Sequence, residues 1–179
     1  TSLVDNPPFG EPGHRPIIDR NAGRVDVNER KIINGEGADV VQLWPIKHKF
    51  AWDAYNVGNA NHWLPTEISM QSDIEQWRAQ NVLTDDERHA FRMVLGFFTT
   101  ADSIAANNIV LAFYKHITSP EARLFLLRQA YEEAIHTQAY QYIVESLGLD
   151  GTEIFNMYRE VEAIYNKEEF ILSFNQGIF

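Results

Sequence analysis

The chain has 179 residues, of which 45% are hydrophobic and 12% aromatic, enough for one sizeable core in a single domain. Its net charge of −10 and isoelectric point near 5.0 argue against binding to nucleic acid or an anionic membrane surface, which need clustered Lys and Arg. Because the chain has no cysteine, oxygen and nitrogen donors would hold any metal, and these suit iron or manganese. With neither a basic-then-apolar leader nor an apolar run near the roughly 20 residues of a membrane span, we expect a soluble, cytoplasmic protein.

The first 40 residues have the composition of an extended arm rather than of a packed domain. They carry four of the seven prolines and five of the ten glycines, without a periodic hydrophobic pattern. We therefore predict an extended N-terminal arm over residues 1–44 and a single helical unit over residues 45–179.

Two short helices are predicted next along the chain. From Pro45 to Tyr55 the hydrophobic pattern is helical, and the turn-forming residues Gly58–Asn61 predict where that helix has ended. A second short helix is predicted after Ser72, which has Glu75 three positions on and so matches a capping box.

The longest predicted helix begins at Thr84, which forms a capping box with Glu87, and runs to about His116. Its predicted core stripe is apolar apart from one charge. The stripe consists of Phe91, Val94, Leu95, Phe98, Asp102, Ala105, Ile109, Ala112 and Phe113. Asp102 is the charge, and a carboxylate without a partner would be costly to bury in such a stripe.

The next helix is predicted from its two ends. Ser119 is suited to the N-cap, Pro120 and Glu121 to the first turn, and Gly148 to the C-terminal stop. Because a short loop joins the two long helices, they should pack antiparallel, with the middle of one close to the middle of the other.

A final helix is predicted to follow this stop. Its cap lies at residues 150–153, and the helical pattern continues to about Ser173, with a break near Asn166. All the predicted elements are therefore helices, and the predicted fold is all-α.

Glu133, His136 and Tyr140 place a carboxylate, an imidazole and a phenol along one face of the helix that ends at Gly148. Side chains three to four positions apart share a face, because a helix turns by about 100° per residue. Antiparallel packing brings Asp102 toward this face. A Glu-x-x-His pair facing inward is the half-site from which two-metal carboxylate centres are built in helix bundles.

The residues alone leave an alternative, in which Glu133 and His136 are a solvated pair beside an ordinary salt bridge between Arg128 and Glu132. Asp102, at matching depth on the neighbouring helix, favours the metal site. A zinc peptidase is excluded because the His-Glu-x-x-His order is absent.

Three segments closely resemble the radical-generating small subunit of class I ribonucleotide reductase, in the order of that family. They span residues 61–67 (NHWLPTE), 96–103 (GFFTTADS) and 127–136 (LRQAYEEAIH), and the likeness extends from about Arg30 to the end. The resemblance implies that Asp102, Glu133 and His136 are metal ligands. It also implies that Tyr140 holds the stable radical and that Trp63 passes it to the large subunit.

The resemblance also indicates the metals. One subgroup of the family has phenylalanine at the radical position and glutamate at the first ligand, and it uses a manganese–iron centre. This chain has Tyr140 and Asp102 at those positions, which favours a di-iron centre, with manganese–iron as the alternative.

The resemblance further implies a ferritin-like bundle, of which this chain would be the N-terminal half. Such bundles need two carboxylates and two Glu-x-x-His pairs, and this sequence supplies one set. Either a second polypeptide completes the site or the chain is a fragment.

The implied function is dioxygen activation at a dinuclear centre, forming a tyrosyl radical that the large subunit uses to make deoxyribonucleotides. The implied assembly is a homodimer of completed units bound to the large subunit. The alternatives are a ferritin-like protein that binds or stores iron, and an inactive fragment.

Overall fold

The computed structural model describes residues 26–35 and 43–174. Within these ranges six α-helices follow one another: α1 Lys49–Ala60, α2 Gln71–Arg78, α3 Asp85–Asn107, α4 Pro120–Leu147, α5 Gly151–Glu160 and α6 Glu162–Ser173. The β pairing in this part of the chain is limited to a single bridge between Ile33 and Ile117. The predicted all-α fold is confirmed.

The long helix α3 begins where the sequence predicts, at a complete capping box. The backbone N–H of Glu87 donates to Thr84 Oγ1 at 3.2 Å, and the N–H of Thr84 donates to Glu87 Oε2 at 2.8 Å. Beyond α3 the helical path continues to His116 as a π-helical segment, Asn108–Phe113, and one 3₁₀ turn, Tyr114–His116. The predicted end is therefore correct, and the π segment is a feature that the hydrophobic pattern does not predict.

Helix α4 also has the predicted ends. Ser119 Oγ accepts a hydrogen bond from the N–H of Ala122 at 3.3 Å, and Gly148 ends the helix with φ of 66°. Glu121, in the first turn, is fully buried and joins α4 to the segment before α1. Its carboxylate accepts hydrogen bonds from Ser119 Oγ at 2.6 Å and from the backbone N–H of Lys47 at 2.8 Å.

The predicted turn at Gly58–Asn61 is wrong, because α1 continues as a helix to Ala60. Gly58 lies where α1 packs on α4, and a Cβ built on it would be 3.2 Å from Arg128 Cγ. The side chain of Arg128 also donates to the carbonyl oxygen of Gly58 at 2.7 Å. This glycine therefore permits a close helix contact, which local sequence signals cannot distinguish from a turn.

Two further local predictions are wrong. Helix α2 begins at Gln71 with Met70 as its N-cap, and Ser72 makes no capping bond there. The break in the last helical region lies at Val161 rather than near Asn166. Val161 packs on the core, so a tertiary contact places the break.

The core lies where α3, α4, α5 and α6 meet. Its buried residues are Leu95, Val144, Ile154, Met157 and Ile164. Tyr140 and Phe97 pack against this cluster. The core thus fixes α3 and α4 relative to each other one to two turns away from Asp102.

The predicted core stripe of α3 is only partly buried. Leu95, Ile109 and Ala112 are buried, whereas Phe91, Val94 and Phe98 are 39%, 54% and 41% exposed. The helical path 85–116 is long and apolar enough to cross a membrane by length and composition, with 22% of its most apolar window buried. Packing of α3 against α4 and α5 identifies it as a core helix with one uncovered side.

Most of the predicted N-terminal arm falls outside the described residues. Within residues 26–35, the chain is attached to the loop that precedes α4. The N–H of Thr118 donates to the carbonyl of Ile32 at 2.7 Å, and the N–H of Gly35 donates to Thr118 Oγ1 at 2.9 Å. This attachment holds the segment beside the start of α4.

Candidate metal centre

The packing of α3 on α4 brings together the three residues that the sequence predicts as ligands. One donor atom from each of Asp102, Glu133 and His136 lies within 4.8 Å of the other two. The side chains of Asp102 and Glu133 are 17% and 16% exposed, and that of His136 is 38% exposed. The cluster is therefore shielded from solvent at Asp102 and Glu133 and is more open to solvent at His136.

The donor atoms converge on one point. His136 Nδ1 lies 3.2 Å from Glu133 Oε2 and 3.4 Å from Asp102 Oδ2. Two carboxylates facing one imidazole nitrogen form a negatively charged, hard donor set, which fits iron or manganese. Three donors leave most coordination positions of two such ions unfilled, so the arrangement has the chemistry of half a dinuclear site.

Tyr140 lies beside this cluster and is bonded to it. Its hydroxyl donates to Asp102 Oδ2 at 2.9 Å, and its ring stacks on that of Phe98 with centroids 6.0 Å apart. Burial raises the pKa of Tyr140, and the hydrogen bond to Asp102 and the negative charges of Asp102 and Glu133 raise it further. The phenol is thus held neutral, with its proton directed at the cluster.

Trp63 reaches the cluster from the loop that follows α1. Its indole ring lies 6.2 Å from the ring of His136, centroid to centroid, at an interplanar angle of 36°. Its Nε1–H donates to Glu132 Oε1 at 2.6 Å. The structure therefore brings all five predicted site residues into one neighbourhood.

Glu132 belongs to this site, whereas the sequence indicated only an ordinary salt bridge with Arg128. The ion pair with Arg128 exists, and Glu132 also accepts the hydrogen bond of the Trp63 indole. Burial raises the pKa of Glu132, but the hydrogen bonds from Arg128 and Trp63 and the charges of Arg128 and His136 outweigh it and lower the pKa. Glu132 is thus an ionised acceptor for the indole. The sequence signal that could have identified Glu132 as part of the site is its position next to the predicted ligand Glu133.

Comparison with known proteins agrees with this geometry. The family model described as "Ribonucleotide reductase, small chain" matches residues 40–177. The chain is 53% identical over 154 residues to ribonucleoside-diphosphate reductase subunit beta of Chlamydia pneumoniae, covering 86% of this chain and 44% of that protein. It is 33% identical over 160 residues to the same subunit of Aquifex aeolicus, covering 88% of this chain and 23% of that protein.

A solved structure shows the same arrangement of helices. The ribonucleotide reductase R2 subunit from Clostridium botulinum matches with a TM-score of 0.75 and 28% identity, over 99% of this chain and 51% of that one. This match confirms the predicted half of a ferritin-like bundle. The chain spans less than half the length of the two curated relatives described above. It belongs to the ribonucleotide reductase small-chain family.

Proposed function

We propose that this chain is the N-terminal half of the radical-generating subunit of a ribonucleoside-diphosphate reductase. The observation that carries the proposal is the convergence of Asp102, Glu133 and His136, with the Tyr140 hydroxyl 2.9 Å from Asp102 Oδ2. Family membership supports the same function and does not favour a ferritin-like storage protein.

The donor set fits the dinuclear metal centre that the family implies. Asp102, Glu133 and His136 would hold one side of an iron–iron or manganese–iron pair, and a completing polypeptide would supply the other side. When bound, the centre supplies the dioxygen-activating redox chemistry that oxidises a nearby tyrosine. Tyr140 in place of phenylalanine favours the iron–iron form.

The residues of this chain prepare Tyr140 for that oxidation. Asp102 orients the phenol and keeps its proton on the hydroxyl in the resting state. Phe98 stacks on the ring of Tyr140. Tyr140 also packs on the core cluster that contains Leu95 and Val144, so one side of its ring is kept from water. A radical formed there would be shielded from reductants on that side.

Trp63 would connect the centre to the surface. Its indole faces His136, and its neighbours Asn61, His62 and Leu64 are exposed. A readily oxidised ring between the metal site and an exposed loop is placed to carry the radical toward the large subunit.

The proposed assembly is a homodimer of completed units with the large subunit, in the cytoplasm.

The test is to replace Tyr140 by Phe in the completed assembly. The change removes one hydroxyl and leaves the proposed ligands in place, so metal content and oxygen-dependent oxidation should be kept. The tyrosyl signal in electron paramagnetic resonance should disappear.

Tyr142→Phe is the matched control, because Tyr142 lies on the same helix and its hydroxyl donates to the backbone of Ile68 at 3.0 Å. It should keep both the metals and the signal. An unchanged signal in Tyr140→Phe would assign the radical to another residue and overturn this part of the proposal.

A further inference from the structure

The segment 26–35 is held on the protein by polar contacts rather than by a core of its own. None of its residues is buried, and Ile33 is 57% exposed. Segments with few buried apolar contacts lie at the low end of local stability in a folded protein. The hydrogen bonds of this segment, the strap, must therefore keep it in place.

Thr118 fastens one end of the strap through its hydroxyl group. Thr118 Oγ1 donates to the carbonyl oxygen of Lys31 at 2.9 Å and accepts from the N–H of Gly35, also at 2.9 Å. Residues 31–35 thus close a ring around this hydroxyl, and Asn34 makes the turn at a positive φ of 50°. Because Thr118 is 8% exposed, water has little access to replace these bonds.

Lys47 fastens the other end of the strap. Its ammonium group donates to the carbonyl oxygens of Asn28 and Arg30, the second at 2.8 Å. The backbone N–H of Lys47 donates to the carboxylate of Glu121 at 2.8 Å, and Glu121 is fully buried in the first turn of α4. The lysine that holds the strap is therefore itself fixed to α4.

The strap also pairs with the connection from α3 to α4. The N–H of Asn34 donates to the carbonyl of His116 at 2.8 Å, and the N–H of Thr118 donates to the carbonyl of Ile32 at 2.7 Å. The π-helical segment and the 3₁₀ turn that lead into this connection depart from α-helical hydrogen bonding. The strap thus supports an irregular part of the chain at the closed end of the α3–α4 pair.

We infer that the strap is a latch that opens and closes as one unit, fastened by the Thr118 hydroxyl and by the charge of Lys47. In the open state both side chains face water, and the connection between α3 and α4 loses its cover. The Lys47 ammonium is a charge-assisted donor to two carbonyl oxygens, so removing its charge should favour the open state. The inference does not depend on the proposed function, because every contact in it lies within this chain.

Hydrogen exchange of the backbone amides, followed by NMR of this chain, tests the latch. The amides of Asn34, Gly35 and Thr118 bond across the strap, and they should exchange faster than the amide of Ile154 in the core helix α5. Thr118→Val keeps the shape of the side chain and removes the hydroxyl. It should speed up exchange at the strap amides at least about tenfold and leave Ile154 unchanged.

Lys47→Met tests whether the strap moves as one unit, because the bonds of these three amides do not involve Lys47. This variant should also speed up exchange at Thr118, whereas Lys47→Arg, which keeps the charge, should do so by less. Lys49→Met is the matched control, because Lys49 is an exposed lysine of α1 that pairs with Asp53. It should leave the exchange at Thr118 unchanged.

Two results would overturn the inference. The first is exchange of the strap amides as slow as that of Ile154 in wild type, because the strap would then open only when the whole protein unfolds. The second is unchanged exchange at Thr118 in Lys47→Met, because the two fastenings would then act separately. Since Lys47 lies outside the connection, this second comparison holds even if Thr118→Val fails to fold.

Discussion

Glu168 is a buried carboxylate without a compensating contact at one of its oxygens. It lies on α6, is 4% exposed, and its Oε1 has no hydrogen-bond partner among the described residues. Burial raises the pKa of Glu168 above its usual range. A carboxyl group whose pKa is raised by folding supports the fold below its unfolded pKa, and this support is lost as the pH rises through the folded pKa. The ionised form therefore costs stability at neutral pH.

Replacing Glu168 by Gln should stabilise the protein at pH 7–8 by about 1–2 kcal/mol, because no charge is then buried. The gain should shrink as the pH falls toward the unfolded carboxyl range near pH 4–5. Urea denaturation of both proteins across this pH range measures the difference. The control Glu169→Gln removes an exposed charge on the same helix and should change stability by less than about 0.5 kcal/mol at each pH. A gain that does not depend on pH would contradict the assignment to ionisation.

The residues of the donor cluster could be predicted from the sequence, and the support of Trp63 could not. Asp102, Glu133, His136 and Tyr140 lie on two helices whose faces follow from helical periodicity and whose antiparallel packing follows from the short loop between them. Glu132 accepts a hydrogen bond from the indole of Trp63, which lies on a loop 69 positions away in the sequence. No periodic pattern specifies where a loop places an indole, so this contact was visible only in the structure.

At the scale of elements, α3 lies close to α5 at Gly96. A Cβ built on Gly96 would overlap Met157 Sδ and would lie 2.9 Å from Met157 Cβ. Met157 is buried in the core cluster, so it has little room to move away. The glycine is therefore required for packing rather than for a turn.

Gly96→Ala tests which of two opposing effects is larger. The higher helix propensity of alanine favours the variant by about 1 kcal/mol, whereas the clash with Met157 costs about 1–3 kcal/mol. We expect a net loss of stability, measured by thermal or urea unfolding. Gly151→Ala is the control, because its Cβ would meet Val144 at an ordinary 3.8 Å. A stabilised Gly96→Ala protein would show that α3 and α5 can separate without cost.

The starts of α3, α4 and α5 could be predicted because their N-cap residues act within a few positions of the chain. Thr84, Ser119 and Asp150 all make the expected capping bonds. The end of α1 and the break at Val161 depend on contacts with other helices. Gly58 is held against α4 and Val161 against the core, and a local signal carries no information about either.

At the scale of the whole molecule, one side of α3 is left uncovered by the residues that the structure describes. Phe91, Val94 and Phe98 are exposed on the same stripe of α3 as Asp102. The side chain of His136, which lies next to Asp102, is also partly exposed. A completing half that covers this side would bury apolar surface and add metal donors together. Metal binding and association of the two halves should therefore depend on each other.

The isolated chain should accordingly bind iron weakly, because three donors cannot satisfy two ions. A polypeptide carrying the second carboxylate and Glu-x-x-His set should raise the content to about two metal ions per pair. Metal analysis after gel filtration measures both. Asp102→Ala should reduce the content of the pair, whereas the exposed Asp53→Ala should not. Tight binding of two ions by this chain alone would contradict the half-site.

The uncovered stripe of α3 should also affect how long the protein survives in a cell. A newly made chain presents apolar side chains from a helix whose composition suits a lipid bilayer. Chaperones and proteases recognise such surfaces. A chain whose stripe stays uncovered should therefore be degraded faster than one whose stripe is covered.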